Sequence, residues 1–253
     1  MNSRAVWKGI MMMALGAVLA FGSVAQADEI GINFTGGNNA GAPTSLLATD
    51  IAGVVPQANW NNANGTGATL NGLLNQNGVA TTASVTWHAD GTWGSGTGTA
   101  SGNAKLYNGY LDSTGTSPTT VTVSGLAAAG LAGSYDVYVY FTGDGAGSNP
   151  PRSGNYTIGS ITQLALDTIG FKGTFVQATP ADANGGNYLV FSGLSGDSFT
   201  LSANPVNFRS PVNGIEIVSP AAAPVPEPTT LALAGMSLLS FMGYAWKRRR
   251  TAA

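Results

Sequence analysis

Short segments in which apolar and polar residues alternate recur through the middle of the chain, and this pattern limits the folds that it can adopt. Within residues 134–142, Val137 and Val139 fall on one side of an extended strand, and Tyr138 and Tyr140 fall on the other. Gly, Asn, Asp and Pro separate the segments, as is typical of turns. The pattern predicts further strands over residues 30–34, 84–88, 119–123, 156–158, 173–177, 188–191, 198–202 and 214–218.

Sustained helical periodicity is absent from this central region, where residues 126–131 form one helical turn at most. Residues 121–126 and 189–194 share a Ser-Gly-Leu corner after a strand, as in the hairpins of a jelly roll. We therefore predict an all-β fold, a jelly-roll-like β-sandwich of about 9–11 strands. The polar, glycine-rich stretches between the strands are expected to be loops without core elements: residues 36–48, 90–104 and 143–154.

The composition excludes several classes of protein. Charged residues make up only 9% of the chain, and there is no cysteine. Disulfide scaffolds and thiolate metal sites are therefore excluded. The net charge of −2 lacks the basic surface that nucleic-acid binding requires, so we expect no nucleic-acid partner. A hydrophobic content of 43% excludes a charge-rich disordered chain.

Residues 1–27 have the three parts of a secretory signal peptide. Arg4 and Lys8 provide the positive start, and an apolar run follows over residues 10–21. Ala25 and Ala27 form an A-x-A cleavage site, which predicts a mature chain beginning at Asp28 after passage through the Sec translocon and cleavage by signal peptidase. The alternative is an uncleaved membrane anchor.

The carboxyl end also has three parts. An Ala/Pro linker at 221–225 precedes the motif Pro226, Glu227 and Pro228. Residues 229–246 carry no charge and are long enough for a single membrane helix. The basic tail is predicted to stop transfer and to stay cytoplasmic, and it consists of Lys247, Arg248, Arg249 and Arg250.

This ending, over residues 226–250, resembles the PEP-CTERM sorting signal of Gram-negative bacteria. The resemblance implies recognition by an exosortase, which would cleave near the Pro-Glu-Pro motif, and an association with exopolysaccharide and biofilm. It implies an exported protein with an inner-membrane precursor and a mature form at the cell surface or in the extracellular matrix. A permanent single-pass anchor without processing is the alternative.

Residues 28–220 remain as one secreted domain, with four basic and eleven acidic residues and hence a net charge of −7. The opening segment 31–34, the strand at 135–141 and the closing segment 212–218 resemble jelly-roll domains of the galactose-binding-like and malectin-like kind. In such modules the first and last strands commonly pair, and carbohydrate is often bound through loops or one sheet face.

Catalytic residues are scarce in this domain. His88 is the one histidine, so no cysteine protease or zinc hydrolase site can be assembled, and no nucleophile elbow is present. Asp136 and Glu216 are the strand-borne acids, and we expect both on a solvated outer face rather than facing each other across a cleft. The prediction is a non-enzymatic surface or matrix protein.

The alternative function is that of a carbohydrate-binding, lectin-like module with an aromatic site in its loops. Trp87 alternates with Val85 and is expected in the core. Two other tryptophans lie in polar loops, where each either plugs the end of the sandwich or offers a stacking platform for a sugar. The candidate site combines them with nearby polar residues: Trp60, Trp93, Asn59, Asn61 and Asp90.

A structural Ca²⁺ is the one metal that the sequence suggests. Asp144 and Asp182 lie in loops rich in Gly and Asn, whose carboxylate, amide and carbonyl oxygens are Ca²⁺ ligands. Neither loop has EF-hand spacing, and turn formation alone also explains Asp-Gly and Asn-Gly pairs. No other cofactor is expected.

Overall fold

The computed structural model describes residues 28–36, 44–113, 115, 117–131, 133–144 and 147–220. The predicted signal peptide, linker, membrane helix and basic tail lie outside the described residues. Among the described residues there is one helix, α1 (Gly102–Asn108), together with a helical turn at Ala127–Leu131. The strands are β1 (Glu29–Phe34), β2 (Asn61–Ala63), β3 (Gly67–Asn71), β4 (Ser84–His88), β5 (Gly91–Gly94), β6 (Gly109–Asp112), β7 (Thr119–Ser124), β8 (Ser134–Tyr140), β9 (Arg152–Ile158), β10 (Ile161–Asp167), β11 (Tyr188–Ser195), β12 (Ser198–Asn207) and β13 (Gly214–Val218).

Most strands belong to two sheets. The five-stranded sheet has the order β11-β8-β13-β1-β2, and the six-stranded sheet has the order β10-β9-β12-β7-β4-β3. Strands β5 and β6 form a separate two-stranded antiparallel sheet whose connection contains α1, and we call this pair the β5–β6 hairpin. The first and last strands, β1 and β13, pair in antiparallel fashion, with Ile32 opposite Ile215. The expected pairing of the two ends of the domain is therefore present.

A continuous hydrophobic core lies between the two sheets. Val137 and Val139 of β8 contribute to it from the five-stranded sheet, and Val121 and Val123 of β7 contribute from the six-stranded sheet. Trp87 of β4 is 5% exposed and packs near Phe34, so its predicted core position is confirmed. Alternating strands place one residue in two on the inward face, which explains why the sequence pattern located these strands.

A further layer covers the outer face of the five-stranded sheet. It is an aromatic cluster formed by Trp60, Tyr107 of α1, Phe171 and Phe175 against Tyr140 of β8. We call this group the aromatic cover. The Tyr107 and Phe171 rings stack with centroids 4.3 Å apart. Because of this layer, β1 and most of β13 are buried on both faces, whereas β11 and part of β8 keep partly exposed outward residues.

Glycine at position 31 permits the cover to approach the sheet. A Cβ atom at Gly31 would lie 2.6 Å from Cδ2 of Trp60. Likewise, a Cβ atom at Gly214, on the neighbouring strand β13, would lie 2.7 Å from Cδ1 of Leu106 in α1. Side chains at these two positions would push the cover away from β1 and β13.

The strand predicted at residues 173–177 is wrong. Phe175 belongs to the aromatic cover, and the backbone N–H of Val176 donates to Oδ1 of Asn187 at 3.0 Å. Among the described residues, only an isolated bridge, from Gln177 to Tyr188, joins this segment to β11. The loop predicted at 90–104 contains β5 and the start of α1. The helix is capped by the Ser101 hydroxyl, which accepts from the N–H of Ala104 at 3.1 Å.

Candidate functional site

The proposed pair of exposed loop tryptophans is not formed, because Trp60 is only 4% exposed. Its ring belongs to the aromatic cover, and its indole N–H is directed at the carbonyl oxygens of Gln57 and Ala52, at 3.2 and 3.3 Å. Trp60 is buried, as the plug interpretation requires, but it covers the outer face of the five-stranded sheet rather than an end of the sandwich. Its ring offers no face to a sugar.

Asn59 and Asn61, on either side of Trp60, use their side chains to hydrogen-bond backbone groups of neighbouring segments. The Asn61 amide group donates to the carbonyls of Gly31 and Leu74, both at 2.9 Å, and its Oδ1 accepts from the N–H of Leu74. Asn59 adopts a positive φ of 57° and donates to the carbonyl of Gln76 at 2.9 Å. These contacts account for both side-chain donors of Asn61 and assign it a structural role.

Trp93 lies apart from the aromatic cover, on the β5–β6 hairpin. It is 38% exposed and pairs across the hairpin with the buried Tyr110. Asp90 precedes the hairpin and is also exposed. Two of the five residues of the predicted carbohydrate site are thus at the surface, Trp93 on this hairpin and Asp90 just before it.

A cluster of carboxylates and arginines lies beneath this hairpin, around Tyr110. Tyr110 donates to Oδ1 of Asp144 at 2.9 Å, and Arg152 forms an ion pair with the same oxygen. Burial alone would raise the pKa of Asp144, but these two partners hold it below its usual value. The Asp144 oxygen proposed for Ca²⁺ is therefore engaged by a phenol and a guanidinium.

Two further acids of this cluster are buried. Burial raises the pKa of Asp112 to about 6, although Arg209 forms an ion pair with it. Burial likewise raises the pKa of Asp167 to about 7, although its Oδ2 accepts from the N–H of Gly143 at 2.7 Å. Oδ1 of each carboxyl is buried and has no hydrogen-bond partner within the described residues. Protonation of either carboxyl removes its charge and therefore the free-energy cost of burying that charge away from water.

Asp182, the other proposed Ca²⁺ ligand, is in a turn. Its backbone N–H donates to the carbonyl of Thr179 at 3.0 Å. Within the described ranges, no three His, Asp or Glu side chains come together in a group that could hold a metal ion.

Asp136 and Glu216 lie on the same outer face, since Glu216 is opposite Tyr138 and Asp136 is opposite Val218. The expectation that this face is solvated is wrong for Glu216, which is 0% exposed beneath the aromatic cover. Asp136 is half-buried, and its Oδ1 accepts from the N–H of Gly193 at 2.8 Å. The two acids therefore share a face without forming an accessible pair.

Glu216 of β13 connects the five-stranded sheet to residues 55–57, which lie over its outer face. Its Oε1 accepts from the side-chain amide of Gln57 at 3.1 Å, its Oε2 accepts from the N–H of Val55 at 3.4 Å, and it forms a short hydrogen bond with the Tyr140 hydroxyl. Burial raises the pKa of Glu216 to about 8, and these donors only partly oppose the shift. The sequence signal for this role is an acid at an outward position flanked by isoleucines on both sides.

The outward face of the six-stranded sheet has a different character. We call it the hydroxyl face, because most of its outward positions carry Ser or Thr. Paired hydroxyl oxygens lie 2.9–3.0 Å apart across neighbouring strands. The members of the face are Thr69, Ser84, Thr86, Thr120, Thr122, Ser124, Thr157, Thr162, Ser198, Thr200 and Ser202.

Comparison with known proteins concerns the carboxyl end. Residues 224–250 match the PEP-CTERM protein-sorting motif. A comparison with curated proteins finds no match. Within the described part of the chain, no helix has the length and apolar character required to cross a membrane. The matched segment indicates an exported protein that is sorted by an exosortase at the membrane.

Proposed function

We propose that this chain is a non-enzymatic protein of the cell surface or extracellular matrix, released or re-anchored by an exosortase and associated with exopolysaccharide. The observation that carries the proposal is the sorting motif at 224–250. The β-domain would be the part displayed outside the cell, and the Sec translocon and signal peptidase would act on its amino end.

The arrangement of the acids supports a role without catalysis. A glycosidase needs two carboxyls that flank a bound substrate. Glu216 is enclosed by Tyr140, Gln57 and the covering backbone, and Asp136 is bound to the N–H of Gly193. His88 is exposed at the end of β4 on the hydroxyl face.

Intact mass of the protein recovered outside the producing cells tests the sorting proposal. We expect a species that lacks residues 247–253, and we expect it to disappear when the exosortase is deleted. Replacing Pro226, Glu227 and Pro228 by alanine should have the same effect as that deletion, whereas Pro220→Ala, outside the match, should not. An external species that retains residues 247–253 would contradict processing.

Trp93 supports carbohydrate binding as the second candidate function, because its partly exposed ring could stack on a sugar. Trp93→Ala should then weaken retention by the host's exopolysaccharide at a temperature at which circular dichroism shows the variant still folded. Equal retention of Trp93→Ala and wild type would remove this hairpin from the binding site.

A further inference from the structure

The hydroxyl face carries no ionised side chain of Asp, Glu, Lys or Arg at the outward positions that lie between the ends of its six described strands. The fifteen charged residues of the 28–220 domain therefore lie elsewhere. Among them, Asp90 follows the end of β4, and Asp197 directly precedes β12. Charged residues are only 9% of this chain, so the lack of charge alone does not distinguish the face. The repeated Ser and Thr pairs across its strands, together with that lack of charge, make it a distinct chemical surface.

The hydroxyls of this face form a regular array. Thr69, Thr86, Thr122 and Thr200 follow one another in register across four neighbouring strands. Thr69 pairs with Thr86, and Thr122 pairs with Thr200, each at 2.9 Å between hydroxyl oxygens. Adjacent strands are about 4.8 Å apart, and alternate residues along one strand are about 7 Å apart. The result is a two-dimensional grid of hydroxyl groups.

The pairs leave hydrogen-bonding capacity for a ligand. Each hydroxyl can donate one hydrogen bond and accept two, so a pair that uses one donor and one acceptor retains one donor and three acceptors. The β-branched threonine side chain is restricted at χ1, so little rotamer freedom remains to be lost on binding. Its methyl group adds an apolar contact beside each hydroxyl.

These features specify the charge and polarity of the partner. An anionic polymer would require Lys or Arg on the face, and an apolar partner would leave the hydroxyls without hydrogen bonds. A neutral polymer that itself carries closely spaced hydroxyl groups satisfies both conditions. Single contacts of this kind are weak, but a long chain lying across several strands makes many of them at once.

We propose that the hydroxyl face is a docking surface for a neutral polysaccharide. This inference rests on the proposed association with exopolysaccharide and assigns its site and the charge class of the sugar. It differs from the Trp93 hairpin, because the outward positions of its described strands carry no Phe, Tyr or Trp on which a sugar could stack.

Retention of the full chain, purified in a detergent without a sugar headgroup, provides the test. The probes are the neutral fraction of the host's own exopolysaccharide, separated by anion exchange, and alginate as an anionic polymer. We expect retention by the neutral host fraction that does not fall as salt is raised, and no retention by alginate. No retention by the neutral fraction, or salt-sensitive retention by alginate, would overturn the proposal.

The double variant Thr122→Val and Thr200→Val removes one hydroxyl pair while preserving side-chain shape. We expect it to lose about tenfold in apparent affinity, since two hydrogen-bonding groups are removed. The control is the exposed Thr174→Val, which lies outside both the hydroxyl face and the β5–β6 hairpin and should bind as wild type. Equal loss in the control would refute the assignment.

A second variant guards against failure of the first to fold. Thr86→Lys places one charge at an exposed position of the face, in the middle of β4, where it should abolish neutral retention and introduce binding to alginate. If the threonine variants instead dissociate an oligomer without changing retention, the face is an interface between copies and the proposal fails. Intact mass of the same samples reports sorting separately, so processed protein without neutral retention overturns only this inference.

Discussion

Glu216 beneath the aromatic cover should make the stability of this domain fall as the pH rises. Its carboxyl has a pKa of about 8 in the folded chain against 4.5 for the free side chain, because burial disfavours the ionised form. Between these values the folded state holds a proton that the unfolded state has released. The contribution of Glu216 to the free energy of unfolding is therefore fully present below about pH 4.5 and is lost progressively as the pH rises to about 8.

The size of this effect follows from the shift. Each pKa unit corresponds to about 1.4 kcal/mol, so Glu216 alone removes about 5 kcal/mol of unfolding free energy across that range. Glu216→Gln keeps the shape of the side chain but cannot titrate. It should cost about 1 kcal/mol near pH 5, since one acceptor for the Val55 N–H is lost. Near pH 9 it should be more stable than wild type by several kcal/mol.

Urea unfolding followed by tryptophan fluorescence measures this difference, and Trp60 in the cover is a local reporter. Asp112, Asp167 and Glu29 also have raised pKa values owing to burial, so the wild-type profile alone does not isolate Glu216. The difference between the wild-type and Glu216→Gln profiles does. The exposed Asp182→Asn controls for loss of one acid. Parallel profiles for wild type and Glu216→Gln would refute the reasoning.

Two further predictions concern packing and surface charge. Gly31→Ala should lower the unfolding free energy by about 1–3 kcal/mol, because its Cβ would meet the Trp60 ring, whereas Gly91→Ala, with open space around it, should change it by less than about 0.5 kcal/mol. Lys105→Met should cost at most about 1 kcal/mol near neutral pH, and this cost should vanish in high salt or on acidification, because Lys105 holds the pKa of Asp50 below its usual value. Urea titration checks both, and a salt-independent loss in Lys105→Met would contradict the second.

Strands with clear alternation could be predicted from the sequence. β1, β4, β7, β8 and β13 were each located within a few residues, because one of their faces is apolar and buried in the core. β3 and β10 were not predicted, because they are edge strands with mostly exposed side chains and weak alternation. The short helix α1 was missed because its seven residues are too few to show helical periodicity.

The candidate sites were harder to predict. Trp60 and Trp93 stand in similar polar loops in the sequence, yet one lies in the aromatic cover and the other is partly exposed on a hairpin. Glu216 has the pattern of an outward-facing strand residue, which predicted solvent contact. The difference arises from segments distant in the chain, residues 44–60 and 168–187, that pack over one sheet face but not the other.

The sequence alone determined the sorting motif at 224–250, because this motif is a linear signal. It also determined which residues of a strand share one side, because the side chains of an extended backbone alternate with a period of two residues. Only the tertiary structure decided which outward side became a buried acid under aromatic rings and which became the open hydroxyl face. The physical reason is that alternation assigns residues to a face, whereas the element that covers this face comes from contacts between remote parts of the chain.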